Sequence, residues 1–357
     1  MAFLEIKNVR VAGLSAGVPS RIVSNADGSV TSADYDAEAF IETTGVRERR
    51  ISDELTTSDL CYAAAEKLIA DLKWDKSEID ALIFVSQNAD YFVPATSCIL
   101  QDRLGLNKEC YITDISLGCS GWVYGMSTLA SLVATGSIKK ALMLAGDARR
   151  HVPTYDPLFG FAGTVTALEY KEGAPSMYFH FGTDGSGFDA IIIPDGGCRN
   201  QIKDSSFATE IIEGREYNRL QPRMKGMDVF SFGITVAPKS IKKIAERFGL
   251  DYQDCDYFVF HQANMKMNNF IAKKLKLDSS KVPSSLEYYG NTSSASIPIT
   301  IVTQLQKACK GRDTRFLGCG FGVGLSWGTI IFQTDSNLVI SDLVEVDDNQ
   351  TDKQHVV

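Results

Sequence analysis

Two stretches of the chain, AAAEKLIADLKWDKSEIDALIFVSQNAD (63–90) and KSIKKIAERFGLDYQDCDYFVFHQAN (239–264), carry the same message twice. Each opens with apolar residues at helical spacing, passes through a short acidic turn, and runs into an apolar strand. The first strand, Ala81–Val85, ends in Ser86-Gln87-Asn88; the second, Tyr257–Phe260, ends in His261-Gln262-Ala263-Asn264. The match continues downstream. Gly118-Cys119-Ser120, a helical pattern over 121–135 and the strand Ala141–Ala145 are answered by Gly290-Asn291-Thr292, a helical pattern over 296–310 and the strand Thr314–Leu317. All these pairs lie about 175 residues apart, which marks a duplicated α/β unit.

Strands that alternate with helices and read as near-continuous apolar runs belong to sheets covered on both faces, so layers of the α-β-α-β-α kind are expected. The pattern predicts one half over 1–175 carrying Cys119 and a second over 176–335 carrying His261 and Asn291. An acidic and polar extension over 336–357 follows, read as an appended element with a frayed end. Polar residues where such strands end are where these folds keep their sites.

Composition narrows the function. The 357 residues are 44% hydrophobic and 22% charged, enough for a large core, and the net charge of −8 disfavours nucleic acid and anionic lipid as partners. No apolar run approaches the ~18 residues a membrane span needs, and the first residues lack a signal-peptide pattern, so a cytoplasmic protein is expected. The eight cysteines form no CxxC pair and there are only four histidines, which argues against a metal centre.

Cys119 lies where the strand-like run Tyr111–Ile115 yields to small residues and then to a helix. A thiol at such a turn faces a cleft beside a helix N-terminus, whose dipole favours the thiolate. Most cysteines are inert and buried, so this placement alone leaves the role open. The same holds for His261, since a histidine at a strand end is more often structural than catalytic. The repeat joins them: a pseudo-twofold relation between the halves brings Cys119, His261 and Asn291 to one cleft.

LGCSGWVYG around Cys119, FHQAN at 260–264 and YGNTSSASIP at 289–298 closely resemble, in order and spacing, the three catalytic motifs of β-ketoacyl-ACP synthase III. TTGVRERRI (43–51), GTDGSG (182–187) and GFGVGLSWG (320–328) extend the resemblance to about residue 332. It implies the thiolase fold, a homodimer without cofactor, and a triad of Cys119, His261 and Asn291. Cys119 would take an acyl group from a thioester, normally acyl-CoA, and condense it with malonyl-ACP after loss of CO2 to give a 3-oxoacyl-ACP. Backbone N–H groups of Cys119 and Val323 would form the oxyanion hole at the thiol, while His261 and Asn291 would stabilise the enolate. The segment Gln262, Ala263, Asn264, Met265 and Lys266 would meet the acyl carrier protein, and Tyr91–Pro94 would close a partner's pocket.

The glycine-rich run Gly318–Gly324 also invites a nucleotide-binding reading, but LSWGTIIF after it reads as a strand where a dinucleotide loop needs a helix. Three departures from the family pattern concern the acyl donor. Asp36–Thr43 lacks the Trp and Arg that clamp adenine, with Phe40 as a substitute ring; the stretch after Arg149-Arg150-His151 is short; and Gly160-Phe161-Ala162-Gly163 replaces an acidic motif. They suggest a specialised synthase, in secondary-metabolite or surface-glycan and lipid synthesis, whose primer is unusual or arrives on a carrier protein instead of CoA. Further alternatives are a non-decarboxylating acyltransferase and a non-catalytic carrier-binding partner. A thiolase with Cys319 as its second cysteine is disfavoured by the His-Asn pair, and Ser86–Asp90 offers no glutamate base of the kind that HMG-CoA-forming relatives use. His151 and His180 are read as structural.

Overall fold

The protein is described by a computed structural model over residues 2–26, 36–148, 156–212 and 215–356. The strands of the first half are β1 (Ala2–Ile6), β2 (Val9–Pro19), β3 (Ile22–Ser24), β4 (Glu48–Arg50), β5 (Ala81–Val85), β6 (Tyr111–Ile115), β7 (Lys140–Asp147) and β8 (Ala162–Tyr170). β9 (Met177–Thr183) opens the second half, short pieces β10 (Ile191–Ile192), β11 (Glu210–Ile212), β12 (Arg215–Tyr217) and β13 (Arg223–Met224) follow, and β14 (Tyr257–Phe260), β15 (Thr314–Gly322) and β16 (Ser326–Thr334) complete it. Two late strands are β17 (Val339–Ile340) and β18 (Val344–Val346). The helices are α1 (Ala37–Thr44), α2 (Thr57–Leu72), α3 (Thr96–Arg103), α4 (Gly121–Val133), α5 (Gly226–Phe248), α6 (Met265–Leu275), α7 (Leu286–Tyr289) and α8 (Ser296–Cys309).

The duplication is visible in the pairing. One sheet runs β17-β2-β8-β7-β5-β6 and the other β1-β9-β16-β15-β14. In both, the strand after the repeated helix and turn lies parallel to the strand after the second helix (β5 with β7, β14 with β15), which then pairs antiparallel with the next (β7 with β8, β15 with β16). Between the sheets lie α4 and α8, whose Trp122, Met126, Leu129, Ile297, Ile301 and Leu305 meet side chains of both sheets in one core. α2 and α3 cover the outer face of the first sheet, and α5 and α6 that of the second. These are the five layers of the thiolase fold.

Local chemistry sets the elements. α2 starts with a capping box between Thr56 and Asp59, and α6 with the Asn264 side chain accepting from Met267 N–H. Gly121 and Gly125 let α4 lie close on its sheet: a Cβ on Gly125 would sit 2.5 Å from Met143 Sδ and 2.7 Å from Val85 Cγ2.

The boundary expected at 175/176 is not how the sheets divide. β1 pairs with β9 in the second sheet, and β17 and β18 run parallel to β2 in the first. The segment after 335 is therefore built against the first half as far as His355. Ser52 donates to Asp348, Arg103 pairs with Asp352, and Tyr91 Oη donates to the His355 carbonyl at 2.5 Å.

Candidate active site

Cys119 precedes α4, with Ser120 as its N-cap, and is 9% exposed. The strand β15 passes directly beneath it. A Cβ on Gly320 would lie 2.7 Å from the Cys119 carbonyl oxygen, and one on Gly322 would lie 2.6 Å from both Cβ and Sγ of Cys119. The same strand holds His261, whose backbone N–H donates to the Cys319 carbonyl at 2.8 Å and whose ring meets Phe321 edge-on at 5.8 Å. The nucleophile turn and the histidine thus sit on one stretch, Cys319–Gly322.

The glycine-rich run is a hairpin. β15 and β16 pair antiparallel from Thr314↔Thr334 to Gly322↔Ser326, with Val323–Leu325 at the tip, so the nucleotide-loop reading fails in the structure as it does in the sequence. Val323 follows Gly322 and so lies next to the thiol. Ser120 Oγ and Ser326 Oγ share a hydrogen bond of 2.7 Å, and Ser326 Oγ donates to the Val323 carbonyl at 2.9 Å, which ties the tip to the Cys119 turn.

Asn291 enters from the α7–α8 connection, on the turn whose next residues reach Cys119. A Cβ on Gly118 would lie 3.1 Å from Ser293 Oγ, and one on Gly121 3.5 Å from Ser294 Cβ. The first half holds Asn291 by its backbone: Asn291 N–H donates to Leu158 O at 2.8 Å and Gly160 N–H to Asn291 O at 3.2 Å. Gly160 is confined, since a Cβ there would fall 2.0 Å from Tyr289 O, and Gly163 lies against the Leu60–Cys61 backbone. Close packing therefore explains Gly160-Phe161-Ala162-Gly163. Arg49 of the TTGVRERR motif, 2% exposed, donates from Nη1 to the carbonyls of Asp156 (3.1 Å) and Phe159 (3.4 Å) and so braces this loop.

His261 is 2% exposed, and burial drives its pKa down to about 3, with the Ser293 backbone working the other way. It is a neutral imidazole at working pH. Its Nδ1 lies 2.7 Å from Ser296 Oγ. Asn291 is 5% exposed, and its Oδ1 accepts from Ser293 N–H at 2.9 Å, which turns its amide NH2 away from that N–H.

Sequence reasoning missed Asp147 at the end of β7. It is 4% exposed; Oδ1 accepts from Ser86 Oγ (3.0 Å), Gln87 N–H (3.1 Å) and Asn88 Nδ2 (2.6 Å), and Oδ2 from Ser294 N–H (3.3 Å) and Oγ (3.1 Å). One carboxylate thus joins the Ser86–Asn88 strand end of the first half to the Asn291 turn of the second. A strand-end aspartate in GDARR has no motif to announce it; only the repeat, which placed both strand ends at one cleft, could have pointed there.

The carrier-contact segment needs one correction. Gln262 is 1% exposed, its Nε2 donates to Phe260 O and its Oε1 accepts from Ser284 Oγ and Ser285 N–H, so its amide is used internally and cannot meet a partner. The Asn264 side chain caps α6. Ala263 and Met265 are partly exposed and Lys266 fully so, beside Asn269, Phe270, Lys273 and Lys274 on the open side of α6. Phe40 is half-buried on α1, whose end meets α6 where a Cβ on Gly45 would fall 2.9 Å from Met265 Cβ. The readings of Arg149, Arg150 and His151 lie outside the described residues. Cys319 is fully enclosed in the outer core, its thiol pushed up to about 12 by burial, so it is no second catalytic cysteine. His180 stacks on Phe3 and hydrogen-bonds Ser240 at 2.7 Å, as a structural residue does.

Two duplicated α/β halves stacked in five layers, with a cysteine ahead of a helix and a histidine at a strand end near their junction, define the thiolase-fold class. Residues 113–185 match the family described as 3-oxoacyl-[acyl-carrier-protein (ACP)] synthase III and residues 245–334 match its C-terminal region. The beta-ketoacyl-[acyl-carrier-protein] synthase III of Clostridium acetobutylicum is 31% identical over 92% of this chain and 99% of its own. A putative 3-oxoacyl-[acyl-carrier-protein] synthase 3 of Campylobacter jejuni is 32% identical over 90% of this chain and 93% of its own. The crystal structure of a 3-oxoacyl-(acyl-carrier protein) synthase from Burkholderia xenovorans superposes with a TM-score of 0.88 at 36% identity, covering 97% of this chain and 99% of that one. The chain belongs to the 3-oxoacyl-ACP synthase III family and is a condensing acyltransferase. Members of this family work through a cysteine and need no cofactor. Among the described residues no helix is long and apolar enough to cross a membrane.

Proposed function

We propose that Cys119 is the nucleophile and that His261 and Asn291 stabilise the enolate formed when a malonyl group on acyl carrier protein loses CO2. The acyl thioester, on CoA or on a carrier, would pass its acyl group to the Cys119 sulfur with release of the donor's thiol. The enolate carbon then attacks the thioester carbonyl, giving a 3-oxoacyl-ACP and restoring the thiol. Neutral His261 and the Asn291 amide would donate to the enolate oxygen, and the N–H groups of Cys119 and Val323 to the tetrahedral oxyanion, each such donor in a dry site contributing roughly 3 to 4 kcal/mol. The observation that carries this reading is that the Cys119 turn and the His261 strand end both sit on Cys319–Gly322, while Ser293 and Ser294, just after Asn291, lie against Gly118 and Gly121 on either side of Cys119.

Lys266 and the exposed lysines of α6 supply local positive charge on an acidic chain, which suits an acidic carrier. A homodimer is supported by the open edge of β6 and by Phe92 (95% exposed) and Val93 (83% exposed), two apolar side chains suited to a partner's pocket. The cytoplasm is the compartment this reading assigns.

The test is intact-protein mass spectrometry of wild type and Cys119→Ala after incubation with acyl-CoA and acyl-carrier thioesters, followed by malonyl-carrier. An acyl adduct on wild type alone, discharged as 3-oxoacyl-carrier on adding malonyl-carrier, is the expected result. No adduct from any donor sinks the reading, and discharge without CO2 release replaces condensation by simple acyl transfer.

A further inference from the structure

We propose that Ser296 is a positioning residue that fixes the tautomer of His261, its Oγ–H donating to Nδ1 so that the ring proton sits on Nε2 and faces the reacting centre. This rests on the reading that His261 stabilises the decarboxylation enolate. A neutral imidazole has one donor and one acceptor nitrogen, and its two tautomers do opposite chemistry. With the proton on Nε2 the ring can donate to an enolate oxygen; with it on Nδ1 the Nε2 lone pair can only accept, as a base would. Some neighbour must choose between them.

In many cysteine and serine enzymes a carboxylate makes that choice. Among the described residues the influences on the ring are burial and the Ser293 backbone, which favours a ring N–H, and no carboxylate acts on it. The partner at Nδ1 is the Ser296 hydroxyl at 2.7 Å, on the first residue of α8 and fully buried. A hydroxyl can donate or accept, so its surroundings decide. The described residues offer Ser296 Oγ no hydrogen-bond acceptor other than Nδ1. Accepting from Nδ1–H would leave its own proton unpaired in the core, whereas donating to Nδ1 satisfies both groups. The backbone N–H of His261 is anchored to Cys319 O, and the Phe321 ring packs edge-on against the imidazole.

The experiment is nitrogen-15 NMR of histidine-labelled protein, with the His261 signals assigned by a His261→Gln variant, beside single-turnover condensation of pre-acylated enzyme with malonyl-carrier. Wild type is expected to show the Nε2–H tautomer. Ser296→Ala is expected to show mixed tautomers and a condensation step slower on the order of 10²-fold, with a smaller effect on acylation, and Ser296→Thr to restore both readouts. An Nδ1–H tautomer in wild type overturns the proposal, as does a Ser296→Ala enzyme that keeps the Nε2–H signal and the wild-type rate. If the Ala variant does not fold, the wild-type spectrum decides alone. Wild type that fails to decarboxylate malonyl-carrier strikes the functional reading of His261, while the spectrum still judges Ser296.

Discussion

Gly322 and Cys119 are matched as a surface to the atom it faces: a Cβ on Gly322 would lie 2.6 Å from Cys119 Sγ, well inside contact distance. The glycine therefore sets where the sulfur can stand. Gly322→Ala is expected to displace the thiol and cut acyl-enzyme formation by at least about 100-fold, at a cost in stability of roughly 1 to 3 kcal/mol. Mass spectrometry of the adduct and urea unfolding check the two parts separately; an acylation rate equal to wild type would show that the thiol has room to spare.

Acid should unfold this protein through its histidines as well as its carboxylates. Burial lowers the pKa of His261 to about 3 and of His180 to about 4, against about 6.5 in the unfolded chain. Because the unfolded state binds the protons first, their contribution to stability is complete above about pH 6.5 and is lost as pH falls toward the folded values. Urea midpoints measured from pH 7.5 to 4.5 should fall, with His180→Gln flattening the slope. Between pH 6 and 8, condensation by pre-acylated enzyme should show no inflection from His261.

Asp147 receives donors from both halves, and an amide in its place would turn an NH2 toward N–H or hydroxyl groups. Asp147→Asn is expected to lose about 2 to 4 kcal/mol in denaturant unfolding, because buried donors lose their acceptor. Condensation should fall with it, since Ser294 adjoins the turn that carries Asn291.

On the carrier face, Lys266→Glu should raise KM for malonyl-carrier about tenfold, more so at low salt, and leave acylation from a small acyl thioester near wild type. Gln262→Ala should behave differently, lowering thermal stability with little change in that KM. Steady-state kinetics at two ionic strengths with differential scanning fluorimetry separates the two.

The repeat was legible because helix, turn and strand each leave a local imprint, and α2-β5 and α5-β14 fall on the predicted segments. The repeat places the turns of Cys119, His261 and Asn291 together, which is why these three residues are the ones proposed for the chemistry. Asp147 and Ser296 were not: a strand-end aspartate and a serine at a helix start read alike wherever they occur, and their meaning comes from partners about 150 and 35 residues away. Gln262 misled for the converse reason, since its neighbours in the motif are exposed while its own side chain turns inward to Ser284 and Ser285. The edge strands were missed because β1 and β17–β18 cross to the other half's sheet, and periodicity reports an element without naming its neighbour.

That crossing has a consequence for how the molecule comes together. Each sheet takes edge strands from the far end of the chain: β1 completes the second, while β17 and β18 complete the first. A polypeptide cut near residue 175 would yield two fragments, each carrying a strand its own sheet cannot use and lacking one that it needs. Their exposed borders would be sticky alone and complementary together, so synthesis must pass β18 at Val344–Val346 before the first half is sealed. Duplication made two copies of one unit, and the exchanged ends made them a single cooperative body.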